Sequence, residues 1–186
     1  MGKLIFKYGA MGSAKTANLL MTAYNFEEKN KIVQLLKPRI DTRDGSYISS
    51  RIGIQRECTT FPTNVLISDI YNIHAEILFV DECQFLTSSQ VEDLADLADS
   101  KNLLIFCYGL RTDFMSNLFE GSKRLFELAD KIEEVKSICE CGKKASINSR
   151  IDEKGNIIFN GEQILVGGND SYKPLCRECW YKKIKS

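Results

Sequence analysis

Three groups of residues have the types and spacings that chemistry requires. The first is Gly9-Ala10-Met11-Gly12-Ser13-Ala14-Lys15-Thr16. It follows the phosphate-loop pattern G-x-x-x-x-G-K-[ST] except that Ala14 stands where the second glycine belongs. In such a loop, backbone N–H groups at a helix N-terminus point at phosphate oxygens, with the helix dipole behind them. Lys15 would reach the β- and γ-phosphates of ATP, and Thr16 would place its hydroxyl on Mg²⁺. An alanine at position 14 costs little if the local φ is negative. The competing account is a glycine-containing strand-to-helix turn with an incidental lysine.

The second group is Asp81-Glu82, directly after the apolar run Ile77 to Val80. An acid at the C-terminal end of a strand beside a phosphate-loop strand is placed to help hold Mg²⁺. Glu82 is a second carboxylate at the same strand end and could take a proton from a nucleophile approaching the γ-phosphate. The alternative is a solvated acidic cap on the next helix. The third group is Cys139-x-Cys141 and Cys176-x-x-Cys179. Two close pairs in a reducing compartment read as a tetrahedral Cys₄ zinc site, one pair per knuckle. A disulfide pair or buried free thiols are the competing accounts.

Other residues carry less. His74 is the single histidine, with no partner pattern around it, and reads as a surface or packed side chain. Phe85, Phe114 and Tyr172 could stack a base, though aromatics at such positions more often fill cores. Cys107 reads as a core residue at the end of a strand. The basic, aromatic stretch Trp180 to Lys185 reads as a solvated tail.

Elements must position these groups. Leu4 to Tyr8, Ile32 to Leu36 (stopped by Pro38), Ile77 to Val80 and Leu103 to Cys107 are short apolar runs that read as buried strands. Helical spacing runs from Lys15 to about Phe26, from Ser88 to about Ser100 with Ser88 as N-cap, and from Phe114 to about Leu128. Uniformly apolar strands separated by helices imply a parallel sheet covered on both faces, an α/β architecture of the P-loop NTPase type. The polar segment from Asp41 to about Cys58 fits neither period and reads as a loop or hairpin. From about Val135 the character changes, and the four cysteines, glycines and short β-prone pieces suggest a small zinc subdomain. The expected division is 1–134 for the α/β core and 135–186 for that subdomain.

Composition bounds the function. With 186 residues, 44% hydrophobic and 27% charged, the chain has enough apolar material for a real core. Twenty-five basic and 25 acidic side chains cancel, which removes any compositional case for bulk nucleic-acid or anionic-membrane binding. No apolar run approaches a membrane span and no leader pattern begins the chain, so a cytoplasmic location is expected. Seven cysteines, an odd number, do not suit a pure disulfide framework.

In this order and spacing the motifs resemble the zinc-containing, P-loop type of thymidine kinase found in bacterial and animal cytosol. The resemblance covers essentially the whole chain. It is carried by Gly9–Thr16, Lys37-Pro38 with Asp41-x-Arg43, Ser50-Arg51-x-Gly53 and Asp81-Glu82-x-Gln84-Phe85. It continues through Tyr108-Gly109-Leu110-Arg111-Thr112-Asp113-Phe114, the two cysteine pairs, and Gly167-Gly168-x-Asp170-x-Tyr172. The resemblance implies ATP-dependent 5′-phosphorylation of thymidine, and of deoxyuridine, to the monophosphate in nucleotide salvage. It makes Glu82 the base and places Asp41, Arg43, Asp81 and Gln84 with the P-loop at the phosphates. It puts Phe114 against the nucleoside, and Gln163, Ile164, Leu165, Val166, Gly167 and Tyr172 in a zinc-tied lasso over base and sugar. It also implies a homotetramer inhibited by thymidine triphosphate. Two departures stand out: Ala14, and a C-x-C knuckle one residue shorter than the family's usual C-x-x-C. Arg43, Arg51 and Arg150 are candidates for stabilising phosphate charge. The rival function is a P-loop ATPase that handles nucleic acid through its zinc knuckle, against which the zero net charge argues.

Overall fold

Residues 2–164 and 171–185 are described in the structure, a computed structural model. Lys3–Tyr8 forms strand β1 and Lys15–Glu27 forms helix α1. Ala17, Leu19, Leu20 and Ala23 of α1 are buried, the one-faced spacing that an amphipathic helix needs. Val33–Pro38 is β2. Within the polar segment, β3 (Tyr47–Ser49) and β4 (Gln55–Glu57) pair as an antiparallel hairpin. β5 (Thr59–Phe61), β6 (Ile77–Val80), helix α2 (Ser88–Lys101), β7 (Leu104–Gly109), helix α3 (Glu120–Leu128) and β8 (Lys131–Glu134) complete the core.

Six of these strands make one parallel sheet in the order β5-β2-β6-β7-β1-β8. Alternation along β6 divides its side chains between two cores. Leu78 and Val80 join Leu4, Phe6 and Ile105 against Leu94 and Leu97 of α2 and Leu125 of α3. Ile77 and Phe79 face the other way, with Phe106 and Tyr108, against Leu19, Leu20 and Ala23 of α1. On that side the Phe79 and Phe106 rings stack with centroids 4.9 Å apart. A sheet covered on both faces has no polar alternation, which is why its strands are apolar throughout.

Parallel register brings the chemistry to one edge. Val80 pairs with Leu36 and with Cys107, while Tyr8 pairs with Gly109. The residues that follow β1, β2, β6 and β7 therefore emerge side by side at the carboxyl edge, where α/β sheets bind ligands.

Several local expectations change. α2 is capped by Thr87, not Ser88: its hydroxyl accepts from the Gln90 N–H while the Gln90 side chain accepts from the Thr87 N–H, a reciprocal capping box. α3 begins at Glu120 rather than near Phe114. The Asp113 carboxylate accepts from the Met115 and Asn117 N–H groups, and this local turn outcompetes the helix. Pro38 closes β2 from inside, paired with Phe61 of β5. β5 and β8 were not expected; β8 is charged, as exposed edge strands tend to be.

The C-terminal part is built from pairs. β9 (Ser137–Ile138) and β10 (Lys144–Ala145) are antiparallel, as are β11 (Ile147–Arg150) and β12 (Tyr172–Leu175), and α4 (Arg177–Lys185) follows. Cys139, Ala145, Leu175 and Cys176 form a small core of their own, with Trp180 packed against it. No helix among the described residues is long and apolar enough to cross a membrane.

Candidate active site

The phosphate loop leaves β1 and turns into α1. Gly9 is required by close approach: a Cβ there would lie 2.3 Å from the Val135 carbonyl oxygen and 2.5 Å from Ser13 Oγ. Lys15 Nζ is half-buried and folds back onto the Ala10 carbonyl at 2.8 Å and Ser13 Oγ at 3.2 Å. Desolvation lowers its pKa, against the pull of Glu82 and Asp81. Ala14 is left-handed, with φ 57° and ψ 29°. The condition under which alanine would cost little is thus not met, and the methyl carries the left-handed penalty of roughly 1–2 kcal/mol that a glycine would avoid.

Thr16 Oγ1 donates to Asp81 Oδ2 at 3.0 Å, so the two oxygen groups suited to a hard divalent cation adjoin each other. Burial and the neighbouring Glu82 charge push the Asp81 carboxyl up to about 7. Glu82 is itself left-handed (φ 52°), which turns its side chain away from the strand line into the cavity. One of its oxygens accepts from Arg43 Nη2 at 2.6 Å, the other from Gln84 Nε2 at 2.6 Å. Arg43 Nε donates to Asp41 Oδ1 at 2.6 Å, and Lys37 Nζ lies 3.5 Å from Asp41 Oδ2. Burial would lift the Asp41 carboxyl, but Arg43 and then Lys37 hold it below the usual range. Burial likewise opposes the Arg43 charge, and Glu82 and Asp41 together raise its pKa. Lys37, Asp41, Arg43 and Glu82 thus form an alternating chain of charge leading to the sheet edge. Gln84 is fixed at its other end by accepting the Leu110 N–H at 3.0 Å. This approach requires a glycine at the end of β7, since a Cβ on Gly109 would lie 2.6 Å from Gln84 Oε1.

A cavity of about 510 Å³ opens over this edge. Met11 to Thr16, Asp41, Arg43, Asp81, Glu82 and Gln84 line it, and so do Phe114, Gln163, Ile164 and Tyr172. Gly9 and Ala10 lie beneath the loop in a separate small recess. Gln163 Nε2 donates to the buried Asp113 Oδ2 at 2.9 Å. Arg51 lines the cavity, whereas the Arg150 guanidinium stacks 3.8 Å from the Phe114 ring centroid and donates twice to the Tyr172 hydroxyl, at 3.0 and 2.5 Å. Of the three candidate arginines, Arg43 alone is paired to the proposed base, and Arg150 braces aromatic side chains. Leu165, Val166 and Gly167 lie outside the described residues, as do Gly168 and Asp170.

The four cysteines converge. Their sulfur atoms all lie within 4.8 Å of one another, and Cys141 and Cys176 are 3.6 Å apart. A tetrahedral ion with bonds of about 2.3 Å to sulfur would set its ligands about 3.8 Å apart, so the donor set fits zinc. Burial works against ionisation of Cys139, yet backbone hydrogen bonds from Cys141 and Cys176 bring its thiol down to about 7. Hydrogen bonding to Cys141 and Cys176 pushes the Cys179 thiol up to about 12. Four thiolates this close would repel one another without a cation among them, so the cluster suits a metal ion. His74 is exposed in the turn before β6, away from all of this.

Residues without a role assigned from sequence hold the site together. Lys37 is 1% exposed and also donates to the Tyr47 carbonyl at 2.8 Å, tying the β3–β4 hairpin to the charge chain. Asn148, on β11, bonds both to the phosphate loop and to the segment after β7. Lys37 was legible in sequence as part of the Lys37-Pro38 motif at the end of a buried strand, with no role attached. Asn148 had no signal beyond an amide in a short strand.

Sequence comparison agrees with this geometry. A family model described as thymidine kinase matches residues 2–180. A thymidine kinase of Listeria monocytogenes serotype 4b is 46% identical, with 96% of each chain covered. Those of Yersinia pseudotuberculosis and Streptococcus pyogenes are 41% and 43% identical, over 100% and 97% of this chain and 98% of each relative. A left-handed alanine in the phosphate loop and a shortened cysteine knuckle thus sit within an otherwise full-length match, and the chain belongs to the thymidine kinase family.

Proposed function

We propose that this protein transfers the γ-phosphoryl group of ATP to the 5′-hydroxyl of thymidine, and of deoxyuridine, giving the nucleoside monophosphate and ADP. The observation that carries the reading is the placement of Glu82 beside the Thr16–Asp81 pair, at one end of a cavity that continues past Phe114 to Tyr172. A phosphoryl donor at the loop and a nucleoside beyond it would meet at Glu82.

The chemistry asks mainly for alignment and charge. Met11 to Thr16 wrap the phosphates, and Lys15 exchanges the Ala10 carbonyl for a phosphate oxygen. The 5′-hydroxyl loses its proton to the Glu82 carboxylate as its oxygen bonds to the γ-phosphorus. The bond from that phosphorus to the β-bridging oxygen breaks, and ADP leaves with the electron pair. Arg43, held by Asp41, stands beside Glu82 to offset charge on the transferred group. Thr16 and Asp81 would hold Mg²⁺, which supplies charge neutralisation at the phosphates. Gln163, Ile164 and Tyr172, which line the cavity, would cover base and sugar over Phe114. Leu165, Val166 and Gly167 would extend that cover, and 135–186 would form a second unit beside the 1–134 core. Zn²⁺ held by Cys139, Cys141, Cys176 and Cys179 would have a structural part, since four protein ligands leave no open position.

The same reading includes a cytoplasmic homotetramer, feedback inhibition by thymidine triphosphate, and no nucleic-acid or membrane partner. The deciding experiment is a nucleoside panel with ATP and Mg²⁺, scored for monophosphate product, with and without the triphosphate and with added DNA. Thymidine-dependent product formation supports the kinase. ATP consumption that follows DNA and ignores thymidine would replace it with the nucleic-acid ATPase.

A further inference from the structure

We propose that Asn148 is a positioning residue that couples occupancy of the phosphate loop to occupancy of the nucleoside side of the cavity. The inference rests on the kinase reading above and adds a residue to it. Asn148 is 2% exposed. Its Oδ1 accepts from the Met11 N–H at 2.8 Å, and its Nδ2 donates to the Thr112 carbonyl at 2.9 Å. The amide orientation follows from its partners, because a peptide N–H can only donate and a carbonyl can only accept.

Each partner is the first link of a longer connection. Met11 belongs to the loop that would wrap phosphates, and its own carbonyl accepts from Ser137 Oγ at 3.3 Å. Thr112 precedes Asp113, whose Oδ1 organises the Met115 and Asn117 N–H groups and whose Oδ2 accepts from Gln163. Phe114, next along, lines the cavity. One rigid amide therefore spans the phosphate loop and the turn that presents Phe114 and anchors Gln163.

Burial makes the span stiff. A buried donor or acceptor that loses its partner is left unsatisfied, so neither end of the amide can move without the other following or a bond being lost. A shift of the Met11 peptide when phosphates enter the loop is transmitted to Thr112. By reciprocity, a nucleoside that settles the 112–117 turn favours the loop conformation that binds phosphate.

The test uses Asn148→Asp, which keeps the acceptor toward Met11 and replaces the donor toward Thr112. The dissociation constant of thymidine is measured without and with a saturating β,γ-imido analogue of ATP plus Mg²⁺. The wild-type ratio of the two should be about 5-fold or more. In Asn148→Asp the ratio should collapse toward one, with each ligand's affinity alone changing by less than the ratio does. A part that was merely structural would weaken both ligands and leave the ratio intact. A ratio near one in the wild type, or an unchanged ratio in the variant, overturns the proposal. If the variant does not fold, amide exchange in the wild type decides: the analogue alone should slow exchange at Met115 and Asn117, and unchanged exchange there overturns the coupling. Wild-type turnover of thymidine, run alongside, separates the two failures. Without turnover the kinase reading falls; with turnover and no coupling, only the part given to Asn148 does.

Discussion

The carboxyl edge of the parallel sheet and the C-terminal part hold their functional residues in different ways. At the sheet edge, Asp81 and Gln84 follow β6 and Lys15 opens α1, elements locked by two hydrophobic cores, and each polar side-chain atom of the three has a nearby partner. In the C-terminal part, two-stranded pieces surround four buried residues, two of them cysteines of the metal cluster. Isolated two-stranded hairpins are marginal in water, and the cysteine cluster is where a metal ion could staple this part. A site that must align phosphates within fractions of an ångström is built on apolar packing. The C-terminal part, small in its own core, gathers its four cysteines instead.

That contrast can be broken from either side. The largest effect should come from the staple. Structural zinc in small peptides contributes an apparent ~10–16 kcal/mol, so Cys176→Ser or chelation should strip the C-terminal part of order. Thymidine affinity should fall far more than ATP affinity, read by titrating each ligand beside zinc content per chain. Equal losses for both ligands would mean that the two regions are not separately held. Next is Glu82→Gln, which keeps the shape but cannot take the proton, and whose single amide oxygen can accept from only one of Arg43 and Gln84. We expect kcat to drop by about 10²–10⁴ with ATP binding nearly unchanged, and kcat like the wild type's would remove Glu82 from the reaction. Lys37→Met is expected to lower stability by roughly 3 kcal/mol, because it leaves buried Asp41 to Arg43 alone. Urea unfolding measures this, and a midpoint like the wild type's would show that the charge chain does not depend on Lys37. The smallest change is Ala14→Gly. Removing a left-handed alanine should stabilise by about 1 kcal/mol with activity retained. Thermal unfolding with turnover checks it, and loss of activity would show that the loop needs the methyl.

Much of the sheet edge was legible because its elements are decided locally. β1, β6 and α1 are apolar runs or apolar periods bounded by glycines and acids, and a parallel sheet offers such strands few alternatives. The start of α3 was not legible, since Asp113 captures two backbone N–H groups by a side-chain geometry that periodicity cannot express. Sequence located Ala14 in the loop but not the sign of its φ, which the surrounding turn imposes. The convergence of the four cysteines followed from their spacing. Lys37 was legible as a motif residue without a role and Asn148 carried none, because their importance comes from partners that only the tertiary fold brings near. Lys37 reaches Tyr47 across a hairpin, and Asn148 reaches Met11 over a sequence separation of 137 residues.

That long reach has a consequence for how the molecule comes into being. Ser137 and Asn148, which brace Met11 from 126 and 137 residues downstream, are made much later than the phosphate loop itself. Val135, whose carbonyl crowds Gly9, is made just before them. Chains are synthesised at about 5–20 residues per second, and contacts this distant close slowly. For the seconds in between, the nascent protein carries the nucleotide-binding sequence without its finished shape. The braced form of the phosphate loop thus waits for the segment from Val135 to Asn148 to be made and to fold back against it.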